Sequence, residues 1–166
     1  MTTSPSEGPS SRLSFRALRD PVQLFALGFG SGLAPVAPGT AGSLIGLAAA
    51  LVIAQWGIPV ASAITAVVVV AGIWICGESA RRLGVHDHPA IVWDEIAGMM
   101  IAMLAAPREW GWAALAFALF RLFDIVKPWP IREIDHGMRG GAGIMLDDVL
   151  AGFLAALALL LIRSIS

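Results

Sequence analysis

Arg121, Asp124, Lys127, Arg132 and Asp135 fall within one stretch, FRLFDIVKPWPIREID, from Phe120 to Asp135. Asp147 and Asp148 follow in GGAGIMLDDVLAG, from Gly140 to Gly152. Only 14% of the 166 residues are charged, while 57% are hydrophobic. Charge is costly in so apolar a chain, so its concentration points to chemistry. Acids interleaved with Arg and Lys suit a divalent cation held beside a phosphate. Carboxylates supply hard oxygen ligands, and the cationic side chains neutralise phosphate oxygens.

A second acidic pair, Asp94–Glu95, lies far upstream in IVWDEIAGM. Neighbouring residues on a helix diverge by about 100°, so two adjacent acids cannot face one point in mid-helix. At a first turn, one can ligate while its neighbour caps the helix or orients the ligand. Asp94, Glu95, Asp124, Asp147 and Asp148 are therefore the candidate ligands, and their oxygens suit Mg2+ or Mn2+. The plainer reading of each pair is a solvated N-terminal capping acid. Arg121, Lys127 and Arg132 are candidates for phosphate contact. Their plainer reading is juxtamembrane charge, with Arg121 pairing Asp124 across one helical turn. Lys127 precedes Pro128-Trp129-Pro130, which should stop a helix and stiffen the chain beyond it.

Four weaker signals complete the set. In PVAPGTAGS (Pro35 to Ser43), Gly39, Gly42, Thr40 and Ser43 are expected just before a helix, where free amides bind anions. The stretch is not a Walker loop, and an ordinary N-cap and turn explains it equally well. Gly140, Gly141 and Gly143 would allow a tight bend ahead of Asp147. His86-Asp87-His88 reads as an exposed loop, with Asp87 near the edge of the site. Cys76, the single cysteine, sits in an apolar run and reads as an inert buried thiol. It excludes a disulfide framework and a Cys-rich metal site.

The elements that must position these residues are very apolar. Mean hydropathy is +0.78, and the chain has six Trp and no Tyr. Net charge is −1, so no basic field favours nucleic acid. Apolar segments are expected near 22–34, 43–56, 58–76, 91–106, 111–123 and 144–162. The expected fold is all-α, a compact multi-helix membrane bundle with its active-site loops at the cytoplasmic face. The competing reading is a soluble all-α protein with unusually apolar helices, because several segments fall short of the ~20 residues of a perpendicular span. Residues 1–20, rich in Ser and Pro, read as a disordered tail, and 21–166 as a single domain. With the tail inside, Arg81, Arg82, Lys127, Arg132 and Arg139 also fall inside, as the positive-inside rule requires. The segment 22–34 must then be interfacial or re-entrant. Every candidate motif lands at one membrane face.

The motifs APGTAGSLIGL, IVWDEIAGM, FRLFDIVKPWPI and GGAGIMLDDVLAG occur in that order. From about Ala34 onward the chain resembles the phosphatidylglycerophosphatase A family. The resemblance implies an all-helical enzyme of the bacterial inner membrane. It also implies Mg2+-dependent hydrolysis of phosphatidylglycerophosphate to phosphatidylglycerol and phosphate on the cytoplasmic side. On that expectation Asp94, Glu95, Asp124, Asp147 and Asp148 surround the cation. Arg121 and Lys127 would neutralise the transferring phosphoryl group, with Asp124 and Asp148 at the catalytic centre. Gly39, Thr40, Ser43 and Arg132 would contact phosphate. The motifs of thiol phosphatases, haloacid-dehalogenase-type enzymes and type 2 phosphatidic acid phosphatases are missing from the sequence. Metal-activated water is thereby favoured, while an aspartyl-phosphate route stays open.

Three rivals make different demands. A CDP-alcohol phosphatidyltransferase needs an Asp-Gly…Ala-Arg…Gly…Asp…Asp series, which the sequence lacks. A transporter subunit would carry its acids in mid-span. A non-catalytic membrane scaffold would not need the acids at all.

Overall fold

The computed structural model describes residues 13–86, 88–129 and 140–165. Arg132, Asp135 and Arg139, with Asp87 and the tail before Leu13, lie outside the described residues. Among those described, the elements are helices and no strand occurs. A 3-10 turn at Phe15–Arg19 leads to α1 (Pro21–Ala26) and a second such turn at Gly28–Leu33. Then come α2 (Pro38–Ile53), α3 (Ile58–Leu83), α4 (Trp93–Leu104), α5 (Trp110–Val126) and α6 (Gly141–Ile165). The all-α class expected from composition is what the chain adopts.

The helix ends obey local rules. Asp20 caps α1, its Oδ1 accepting the Val22 amide at 3.0 Å, and Pro21 fills the first helical position. α3 runs past Cys76, where the apolar run breaks, to Leu83. Glu78 accepts bonds from Arg81 and Arg82 one turn on, and Gly84 closes the helix in left-handed backbone at φ 68°. Arg82 also reaches Asp20 at 2.5 Å, fastening the N-terminal segment to the end of α3.

Two starts differ from the expectation for the glycine-rich motifs. α2 begins at Pro38, so Gly39, Thr40, Gly42 and Ser43 lie within its first turns rather than in a preceding loop. α6 begins at Gly141, so Asp147 and Asp148 lie well inside the helix rather than at its opening turn. Gly141, the first residue of the helix, packs on α3 so closely that a Cβ there would overlap the Ile73 carbonyl.

α4 is the central element. Ten of its twelve residues are buried, and α2, α3, α5 and α6 all pack on it. Close approach to α6 requires glycine on both sides. A Cβ on Gly98 would stand 2.5 Å from the Asp148 carbonyl oxygen, and one on Gly152 would overlap the Gly98 carbonyl. The Trp93 indole N–H donates to the Val68 carbonyl of α3 at 3.1 Å, setting the height of the α4 N-terminus.

Three helices are long and apolar enough to cross a membrane: Pro38–Trp56, Ile58–Leu83 and Gly141–Ile165. Their outward side chains include Val67, Val70 and Trp74 on α3, and Phe153, Leu157 and Leu161 on α6, all exposed. Such continuous apolar faces suit lipid better than water. α4 is different. Its twelve residues cover about 18 Å, short of the ~30 Å hydrocarbon core. The 91–106 segment therefore forms a sheathed inner helix, with longer helices around it.

Candidate active site

Asp94 and Glu95 occupy the first turn of α4, and Asp148 faces them from the second turn of α6. Asp94 and Asp148 are buried, and Glu95 is half-buried. One carboxylate oxygen from each lies within 4.8 Å of the other two. The Gly98–Gly152 crossing produces this arrangement, because it lets α6 lie directly on α4 one turn from the acids. Glu95 Oε2 and Asp148 Oδ1 are buried without a hydrogen-bond partner among the described residues. Three close carboxylates shielded from water repel one another, and two orphaned anionic oxygens make this a costly arrangement on its own. A small divalent cation would resolve both problems. The hard-oxygen donor set fits Mg2+, and three side-chain ligands leave positions for water and phosphate.

These acids form one wall of a cavity of about 320 Å3. Ala37, Pro38 and Gly39 line it from α2, and Arg121, Asp124, Ile125 and Lys127 from α5 and its end. Asp147 completes the α6 side. Arg121 donates to Asp124 Oδ2 and also points Nη1 at Ser43 Oγ, 3.4 Å away. Ser43 in turn donates to the Gly39 carbonyl at 2.8 Å. Ser43 is fully buried, and its hydroxyl lies against Arg121 rather than among the residues that line the cavity. Lys127 Nζ lies 2.6 Å from Asp147 Oδ2. The two acids of the pair thus divide: Asp148 turns to the carboxylate trio and Asp147 to the lysine.

Backbone geometry at the cavity is unusual in two places. Ala37 and Lys127 are non-glycine residues in left-handed backbone, at φ 48° and 44°. Each precedes a proline, and each lines the cavity. Strain of this kind persists where the surrounding structure imposes it and concentrates at functional sites. Here it ends α5 sharply and starts α2 sharply. The first-turn amides of α2, which have no intrahelical acceptor, are brought to the cavity edge at Gly39.

Most of the expected site residues converge. Gly39, Asp94, Glu95, Arg121, Asp124, Lys127, Asp147 and Asp148 meet around one cavity, although they come from four helices. Thr40 is half-buried and is not among the residues lining it. Arg132 lies outside the described residues. His86 and His88 serve the backbone: His86 Nε2 accepts the Gly140 amide at 2.8 Å, and His88 Nδ1 accepts the Ala90 amide at 3.1 Å. Sequence reasoning missed Ala37, Pro38, Pro89, Ile91 and Ile125 as lining residues. The Ala37–Pro38 step carried a local hint. Pro89, Ile91 and Ile125 carried none.

A helical protein with candidate membrane spans, a largely buried carboxylate trio and two flanking cations has the make-up of a phosphate-ester hydrolase. Comparison with known proteins narrows this class. Residues 24–163 match the family model described as Phosphatidylglycerophosphatase A, and the chain belongs to that family of phosphatases. It is 42% identical over 140 residues to the Escherichia coli phosphatidylglycerophosphatase A, covering 84% of this chain and 81% of that protein. The Haemophilus influenzae phosphatidylglycerophosphatase A is 44% identical over 149 residues, covering 89% and 91%. A Bacteroides thetaiotaomicron relative is 45% identical over 139 residues, covering 78% and 85%, and its name proposes a phosphatidylinositol-3-phosphatase. No solved structure matches.

Proposed function

We propose that this enzyme hydrolyses the phosphomonoester of phosphatidylglycerophosphate, with Mg2+, at the cytoplasmic face of the bacterial inner membrane. The observation that carries the reading is the Asp94–Glu95–Asp148 trio, with its two orphaned oxygens, beside Arg121 and Lys127. Mg2+ held by the trio would polarise the phosphate and favour a water nucleophile. Arg121, steadied by Asp124 and Ser43, grips phosphate oxygens from the α5 wall. Lys127, steadied by Asp147, neutralises charge from the end of the same helix. The water oxygen bonds to phosphorus, and the bond from phosphorus to the glycerol oxygen breaks. That oxygen leaves with a proton, giving phosphatidylglycerol and inorganic phosphate.

The membrane setting has its own support. Arg16 and Arg19, tied through Asp20 to Arg82, gather with Arg81, Arg121 and Lys127 at the end that holds the cavity. Arg108 and Arg163 stand at the other end. This bias is the positive-inside pattern, and it supports a cytoplasmic setting for the cavity.

The test is phosphate release by the detergent-purified protein from phosphatidylglycerophosphate and from phosphatidylinositol 3-phosphate, each with and without Mg2+. Release from phosphatidylglycerophosphate, dependent on Mg2+ and faster than from the inositol lipid, is expected. No release from phosphatidylglycerophosphate would overturn the reading.

A further inference from the structure

A second cavity, of about 240 Å3, lies at the end of the bundle away from the carboxylates. It exists because α4 stops at Leu104 and α2 at Ile53, while α6 continues to Ile165. Its interior is apolar, with Ala61, Met100 and Met103 all buried. Its rim carries two exposed arginines, Arg108 and Arg163. Arg108 Nη2 donates to the Ala54 carbonyl at the start of the turn after α2, which holds the guanidinium at the opening. Neither arginine has a carboxylate partner among the described residues. Trp56 and Trp110 are exposed at the same end, in the position of interfacial anchors.

We propose that this cavity is a binding site for an anionic phospholipid of the leaflet opposite the active site. An apolar hole beneath two guanidinium groups that have no carboxylate partner among the described residues matches an acyl chain beneath a phosphate, which Arg grips through paired N–H donors. A free anion would use the rim and leave the apolar floor empty. A zwitterionic lipid would fill the floor and leave the rim charge unanswered. The site rests on the membrane reading of α2, α3 and α6 and is independent of the phosphatase reading.

The test uses the full chain in a mild non-ionic detergent without Mg2+. Native mass spectrometry would follow retention of phosphatidylserine against phosphatidylcholine. The wild type should retain phosphatidylserine preferentially. Removing both charges in Arg108→Gln/Arg163→Gln should weaken retention roughly thirty-fold, and Arg163→Gln alone roughly five-fold. The single variant carries the test if loss of the Arg108–Ala54 tie disturbs folding, which circular dichroism would report. Ala106→Phe, which narrows the cavity while keeping both arginines, should weaken retention as well. Asp148→Asn should retain lipid as the wild type does, which separates this site from the carboxylate cavity. Equal retention of the two lipids, or retention unchanged in both Arg163→Gln and Ala106→Phe, would overturn the proposal. So would full displacement by millimolar inorganic phosphate combined with a harmless Ala106→Phe, because that is the behaviour of a bare anion site.

Discussion

Gly39 passes so close to Glu95 that a β-carbon on Gly39 would overlap Glu95 Oε1. The next nearest atoms are Glu95 Cδ at 3.2 Å and Arg121 Nη1 at 3.3 Å. The atom struck is the mobile end of a side chain, so Gly39→Ala should fold nearly as well as the wild type. It should nevertheless push the Glu95 carboxylate out of the trio. The expected result is a thermal midpoint little changed and activity reduced about 10- to 100-fold, the usual cost of disturbing a ligand's support. Parallel unfolding and phosphate-release measurements check it.

Asp147 and Asp148 are adjacent in sequence but have different partners, so their asparagine variants should separate. Asp148→Asn removes a member of the carboxylate trio and should reduce turnover by at least about 100-fold. Without metal it should be no less stable than the wild type, because it relieves repulsion among buried acids. Asp147→Asn leaves the trio intact and weakens the contact with Lys127, and should cost about tenfold or less. Equal losses in the two variants would show that the division between metal and lysine is wrong.

Lys127 and Arg121 approach the cavity from different supports, and their substitutions should differ in kind. Arg121→Lys keeps the charge but loses the planar fork that reaches Asp124 and Ser43 together. It should behave almost like Arg121→Ala, with kcat/KM down by about 100-fold. Lys127→Arg keeps a point of positive charge at the opening and should retain a substantial part of the activity that Lys127→Ala loses. Steady-state kinetics on the four variants distinguish the cases.

The α4–α6 crossing is backbone against backbone, which no side-chain movement can relieve. Gly98→Ala places a methyl group 2.5 Å from the Asp148 carbonyl and 2.6 Å from the Phe120 ring. It should destabilise the protein by about 1–3 kcal/mol and shift Asp148 as well. Denaturant titration in detergent, with activity measured on the surviving folded fraction, reads both effects.

Much of this site was legible in the sequence because charge is scarce in the chain. Asp94, Glu95, Arg121, Asp124, Lys127, Asp147 and Asp148 announced themselves by cost alone, and Pro128 announced the end of α5. The division of labour between neighbours was not legible. Which of Asp147 and Asp148 faces the trio depends on the rotational phase of α6, and that phase comes from packing of Gly141 on Ile73 and of Gly152 on Gly98. Ser43 lies against Arg121, far away in the chain, and a local reading of its hydroxyl as a phosphate contact carries no sign of that neighbour. The apolar run of α4 was ambiguous for a related reason. Its run of apolar residues is the same whether the helix faces lipid or four other helices, and only the three-dimensional packing decides.

The central claim is that Asp94, Glu95 and Asp148 hold the divalent cation on which hydrolysis depends. The most direct measurement is the Mg2+ dependence of phosphate release from phosphatidylglycerophosphate, for the wild type and for Asp94→Asn. Loss of one of three anionic ligands should raise the Mg2+ concentration for half-maximal activity by about tenfold or more, with residual turnover at saturation. An unchanged Mg2+ midpoint in Asp94→Asn, or wild-type hydrolysis that persists after exhaustive chelation, would contradict the account.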